Sequence, residues 1–196
     1  MKRTILISLL FFTFSFCFAQ PNSDTSKHLT FKGVPIDGKL ADFVSKMKEA
    51  GFNFKETKEG LSILEGDFAS YINCKIGVST LSQKDLVNKI VVMFQNRETW
   101  YSLSSNYFDL KTLLTEKYGK PIENVENFQT YTPDDDGYKM TQVHLGTCKY
   151  YSYFKTSKGN IQLSIEYNFK LRGHVELVYL DKINGDTIKK QALDDL

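Results

Sequence analysis

The chain reads as an α+β protein made of two related units of helix plus antiparallel sheet, and three observations predict it. Two segments alternate between apolar and polar residues, Tyr71 to Ser79 and Ile161 to Phe169. Two others carry apolar residues at helical spacing and end on a glycine, Gly51 and Gly119. The order is strand, helix, strands, helix, strands, and the links between strands are shorter than the dozen or so residues a parallel crossover needs. The two units either carry a sheet each or share one continuous sheet.

Taken in order, LTFKGVPIDG from Leu29 predicts a short strand and a Pro-containing turn, with Asp37 placed to cap a helix. Leu40, Phe43, Val44 and Met47 give that helix one apolar face, and Gly51 stops it. Four strands are expected next: Phe52 to Lys58, Leu61 to Leu64, Tyr71 to Ser79 and Val87 to Phe94. In the third, Ile72, Cys74, Ile76 and Val78 share a face, with Tyr71, Asn73, Lys75 and Ser79 opposite. The turns Lys-Glu-Gly and Glu-Gly-Asp suit antiparallel hairpins.

A second helix is expected from Ser104 or Ser105, with Tyr107, Leu110, Leu113, Leu114 and Tyr118 inward and Gly119 then Pro121 as its stop. Strands follow around Asn127 to Thr132, Met140 to Leu145, Lys149 to Phe154, Ile161 to Phe169 and Val175 to Leu180. Asn184-Gly185 predicts a turn before a short terminal helix with Ile188, Ala192 and Leu193 inward. The Cys74-Lys75 and Cys148-Lys149 hairpins correspond, as do Leu40/Phe43/Val44 and Leu110/Leu113/Leu114, so a duplicated unit is expected, with bounds 28–99 and 100–196.

Ahead of these units, Lys2 and Arg3, the apolar run Thr4 to Phe16 and Cys17-Phe18-Ala19 predict a cleaved secretory signal over 1–19, followed by a flexible leader over 20–27. Phe14 and Phe16 do not fit a lipobox before Cys17, so export to the periplasm or outside is expected rather than lipidation, with no membrane span in the mature chain. The precursor carries 25 basic and 23 acidic residues. Losing Lys2 and Arg3 leaves the mature chain formally neutral, with no basic footprint for nucleic acid. About 175 mature residues are enough to bury a sizeable core.

No pattern of chemistry emerges from the polar residues. His28, His144 and His174 belong to no HxxxH or HExxH pattern and read as surface residues. Asp134-Asp135-Asp136-Gly137 has the look of a calcium loop, but its register puts Val143 where a bidentate Glu is needed, so an acidic hairpin tip is expected. There is no Gly-x-Ser-x-Gly elbow and no phosphate loop. Neither catalytic residue, metal nor cofactor is expected. Cys74 and Cys148 read either as a disulfide, which the expected compartment permits, or as two buried thiols, the favoured reading.

Aromatic density is what remains: Trp100, Tyr150, Tyr151 and Tyr153 are the candidate binding residues. In a strand, Tyr151 and Tyr153 point one way and Tyr150 and Phe154 the other, and one set lies nearer solvent if the sheet is single-layered. Tyrosines offer rigid contact area to proteins or sugars; cross-strand stabilisation of the sheet is the plainer explanation.

The runs FKGVPIDGKLADFVSKMKEAGF, NYFDLKTLLTEKYGKP and YLDKINGDTIKKQALDDL together resemble small exported proteins of unknown function from Gram-negative gut bacteria, over nearly the whole mature chain. That resemblance implies no catalytic motif. Tandem helix-plus-antiparallel-strand units are also similar in architecture to β-lactamase-inhibitor proteins, which bind other proteins on a sheet surface. The expectation is a non-enzymatic exported binding module that engages an envelope or extracellular protein through an aromatic-bearing sheet face. Binding of a carbohydrate or small ligand is the alternative.

Overall fold

The computed structural model describes residues 26–81, 84–129, 131–167, 172–194 and 196. The expected signal, and the leader as far as residue 25, lie outside the described residues. A hairpin of β1 (Thr30–Phe31) and β2 (Val34–Pro35) leads into α1 (Leu40–Glu49) and strands β3 (Asn53–Lys58), β4 (Leu61–Phe68), β5 (Tyr71–Leu81) and β6 (Lys84–Met93). Then come α2 (Trp100–Tyr118), β7 (Glu123–Phe128), α3 (Asp136–His144), β8 (Cys148–Lys155), β9 (Gly159–Tyr167), β10 (Gly173–Asp181) and α4 (Lys182–Asp194).

Strands β3 to β10 make one antiparallel sheet in the order β3-β4-β5-β6-β10-β9-β8-β7. The α+β class read from the sequence is the one observed. Each half contributes a four-stranded meander, and the halves meet where β6 pairs with β10 through Val92↔Leu177 and Ile90↔Tyr179. The β3–β4 turn places Glu59 at φ 48° and Gly60 at φ 76°. Two positive φ values are what a tight two-residue hairpin with the natural strand twist requires.

Alternation divides the sheet into two unlike faces. On one, the row Leu64, Ile76, Val92, Leu177, Leu163, Ser152 runs across six strands, and every member is buried. Helices α1, α2 and α3 and the β1–β2 hairpin pack on this face. α1 supplies Leu40, Phe43, Val44 and Met47, as its apolar spacing predicts. Phe31, from the β1–β2 hairpin, is buried against the sheet, stacked on Phe68 at 5.0 Å and edge-on to Tyr179 at 5.4 Å. Under α2 a second aromatic group gathers around Tyr150, which meets Trp100 at 5.0 Å, Phe128 at 5.7 Å and Tyr107 at 5.8 Å.

A polar knot ties residues 28–37 to the end of β10 and the start of α4. The Asn184 side-chain amide donates to Ile36 O (3.1 Å), Asp37 Oδ1 (3.0 Å) and Val87 O (2.9 Å). Asp181, fully buried, accepts from Leu29 N (2.8 Å) and Asn184 N (2.9 Å) and pairs with His28 Nδ1 at 3.1 Å. These bonds join residues on either side of the β1–β2 hairpin to β6, β10 and α4.

Several local expectations are corrected. Asp37 belongs to this knot and does not cap α1; instead the Leu40 N–H donates to Asp85 Oδ1 from the start of β6. His28 is accordingly half-buried. α2 begins at Trp100, ahead of the expected Ser104 or Ser105, because Thr99 accepts from Ser102 N, and its Leu113 faces solvent. Asn73 at φ 53° breaks the alternation of β5, so Ile72 turns outward while Cys74, Ile76 and Val78 stay buried. The expected strand Met140 to Leu145 is helix α3, and the acidic run is its start: Asp135 accepts from Tyr138 N and caps it. α4 runs through Asn184-Gly185, and Leu193 and Ala192 are exposed rather than inward.

Asn184→Ala removes the side-chain donor shared by the Ile36 and Val87 carbonyls and the Asp37 carboxylate, and is expected to cost about 2–3 kcal/mol. Urea unfolding measures it as a lower midpoint at unchanged slope.

Candidate functional site

The second face of the sheet is where the sequence candidates separate. One row across it runs Ile63, Gly77, Val91, Val178, Gln162, Tyr153, and the next runs Glu65, Lys75, Met93, Glu176, Ser164, Tyr151. Most of these side chains are half-buried, unlike the fully buried rows beneath the helices. The face therefore has an apolar strip, Ile63 to Val178, bordered by charges of both signs and closed on one side by two tyrosines. The Tyr151 hydroxyl donates to Glu123 Oε1 at 2.7 Å, and this bond to a carboxylate raises the tyrosine's pKa above its ordinary value.

Tyr151 and Tyr153 thus lie together on the open face. Tyr150 and Trp100 do not join them: both belong to the aromatic group under α2, with Trp100 buried. The division follows from alternation along β8, whose Cys148, Ser152 and Phe154 are buried on the helix side. Beneath α2, Ser152 Oγ donates to Asn124 Oδ1 (2.8 Å), so the Tyr107 hydroxyl is the donor in its 2.7 Å bond to Ser152.

Two buried side-chain atoms among the described residues have no hydrogen-bond partner, Ser164 Oγ and His174 Nδ1. Both lie at one end of the open face, on β9 and β10, and His174 is cross-strand from Glu166 while Ser164 is cross-strand from Glu176. Sequence reading had placed His174 at the surface; it is 6% exposed, inside a strand whose ladder with β9 starts at Gly173. His144 lies in the last turn of α3, not on a strand. Unsatisfied buried polar atoms are uncommon in native folds, and each calls for an explanation such as an ordered water, an ion or a bound group. No pattern in the sequence marks Ser164 or His174, because the signal is burial without a partner.

Of the concavities that adjoin the sheet, two lie beside the residues considered above. One, of about 480 Å³, lies between α1 and the edge of the sheet and is lined by Leu40, Ala41, Val44, Phe54, Thr57 and Ser62, among others. The other, of about 220 Å³, opens between β8 and β9 beside Ser164. Among the described residues no three His, Cys, Asp or Glu side chains converge as metal ligands, and no helix is long and apolar enough to cross a membrane.

The disulfide reading of Cys74 and Cys148 is overturned. Both are free and buried, on β5 and β8, four strand spacings apart in the sheet. At about 4.8 Å per spacing that is about 19 Å, against the 7 Å or less between Cα atoms that a bridge tolerates. Comparison with family models, with curated proteins and with solved structures gave no match.

Burial pushes the Cys74 thiol up from 9.0 to about 11 and the Cys148 thiol from 9.0 to about 12. Both should resist alkylation at pH 8 in the folded protein prepared as residues 20–196, which lacks Cys17, and two thiols should titrate there in denaturant without reductant. Because folding raises these values, the linked stability is intact below pH 9 and is lost as the pH rises through 11 and 12. Chemical unfolding across that range is expected to show a falling midpoint, and a flat profile would contradict the burial of both thiols.

Proposed function

We propose that this protein is an exported, non-enzymatic binding module that engages a protein partner on the open face of its sheet. The observation that carries the reading is the contrast between the two faces of one sheet. Helices and a hairpin bury one, and the other presents an apolar strip with Tyr151 and Tyr153 beside it, rimmed by Glu65, Lys75 and Glu176. An apolar centre with aromatic anchors and a charged rim is the composition of protein interfaces. Paired tyrosines add rigid contact area at low entropic cost. Export follows from the expected signal at the N-terminus.

A small-ligand reading has one specific observation in its favour, the cavity between α1 and β3–β4, whose walls are mainly apolar and whose size falls within the ordinary range for ligand sites. Thermal stabilisation by an apolar small molecule, lost in Val44→Lys, would favour it.

The test of the leading reading is crosslinking in the native cell followed by capture of the mature protein. The double variant Tyr151→Ala/Tyr153→Ala is expected to lower partner recovery at least about tenfold, equivalent to about 1.4 kcal/mol, with little change in melting temperature. Tyr150→Ala, which removes the half-buried centre of the aromatic group under α2, should instead cost about 2–3 kcal/mol of stability. Undiminished recovery by the double variant would remove the tyrosines from the interface.

A further inference from the structure

Strands β8 and β9 pair from Lys155↔Asn160 to Tyr151↔Ser164 and then stop pairing, although both strands continue. β8 runs back to Cys148 along β7, and β9 runs on to Tyr167 along β10. The sheet therefore forks, and the cavity of about 220 Å³ occupies the fork. The turn after α3 closes one side: Val143 and Gly146 line the cavity, and Gly146, at φ 70°, lets the Tyr167 hydroxyl come within 3.0 Å of where a Cβ would stand.

Three groups give this fork a chemical character. Ser164, 3% exposed, lines it at the point where the ladder ends, and its hydroxyl has no partner. In the register set by Tyr151↔Ser164, the next open-face residues are Lys149 on β8 and Glu166 on β9, which also line the cavity. An unbroken ladder would set them opposite each other; across the fork they stand on separate walls, and neither has an ion pair among the described residues. The fork thus offers a cation on one wall, an anion on the other and a hydroxyl at its base. Its volume is below the roughly 300 Å³ at which sites for drug-sized ligands begin.

We infer that the β8–β9 fork is a binding site for a small zwitterion of the α-amino-acid class, with the ligand carboxylate toward Lys149 and the Ser164 hydroxyl and its ammonium toward Glu166. Opposite charges a few ångströms apart in the ligand match the arrangement of the walls, and the serine hydroxyl gains the partner it lacks. A singly charged ligand would leave one wall unsatisfied. The inference does not rest on the sheet face engaging a protein, since the ligand completes the fork of the isolated chain.

The experiment is a thermal-shift and calorimetric screen of the mature protein against each L-amino acid up to about 10 mM, with the N-acetyl and carboxamide forms of any that bind. At least one amino acid is expected to raise the melting temperature, and masking either charge is expected to abolish the shift. Lys149→Met and Glu166→Gln, both on the open face, should each weaken the same amino acid at least about tenfold while keeping the wild-type circular dichroism spectrum. The inference is overturned if no amino acid binds the wild-type protein in this range. It is also overturned if the masked forms bind equally, or if both variants bind as the wild type does.

Discussion

The antiparallel pairing of β6 with β10 is the constraint on which the rest of this structure depends. Each half of the chain makes a four-stranded meander whose last strand would otherwise be an open edge. Joining those two strands turns two half-sheets into one, and the register chosen there sets every row across it. Val92↔Leu177 and Ile90↔Tyr179 bring apolar side chains to the helix side. The intervening Val91↔Val178 falls on the other side and makes the centre of the open face. A slip of one residue would exchange the two faces, so burial of the helix-side rows fixes the composition of the surface opposite. The Asn184 and Asp181 knot ties residues 28–37 and α4 to β6 and β10, the two strands that share that register.

The two faces then differ in what they ask of their side chains. The covered face is closed by packing: aromatic groups centred on Phe31 and on Tyr150 fill the spaces between helices and sheet, and buried hydroxyls such as Ser152 and Tyr107 are paired. The open face departs from that closure at one end. Among the described residues, Ser164 Oγ and His174 Nδ1 are buried without partners there, the β8–β9 ladder stops, and Lys149 and Glu166 on the walls of the fork have no ion pair. Local inconsistency of this kind, in a fold otherwise satisfied, is where binding is to be sought.

Much of this architecture was legible in the sequence because periodicity reports burial directly. The α1 face and the alternation of Ile161, Leu163 and Ile165 give the core residues by spacing alone. Errors came where a tertiary partner or one backbone angle outweighed the local pattern. Asp85 caps α1 from 45 residues away in the chain. The positive φ of Asn73 reverses Ile72, and the Asp135 cap makes a helix of a segment whose apolar residues read as a strand. Alternation placed Tyr151 and Tyr153 on one face and Tyr150 on the other, but only the packing of α2 over Tyr150 decides which face is open. The fork was not legible, since a ladder that stops while both strands continue leaves no mark in composition or spacing.

The central claim is that one sheet has a covered and an open face, and cysteine labelling at adjacent positions of β6 tests it most directly. With Cys74 and Cys148 buried and silent, Val91→Cys and Val92→Cys would be introduced singly and exposed to a water-soluble maleimide in the folded protein. The account predicts rapid labelling at position 91 and protection at position 92 until the protein unfolds. Equal labelling of the two, or protection of both, would contradict it.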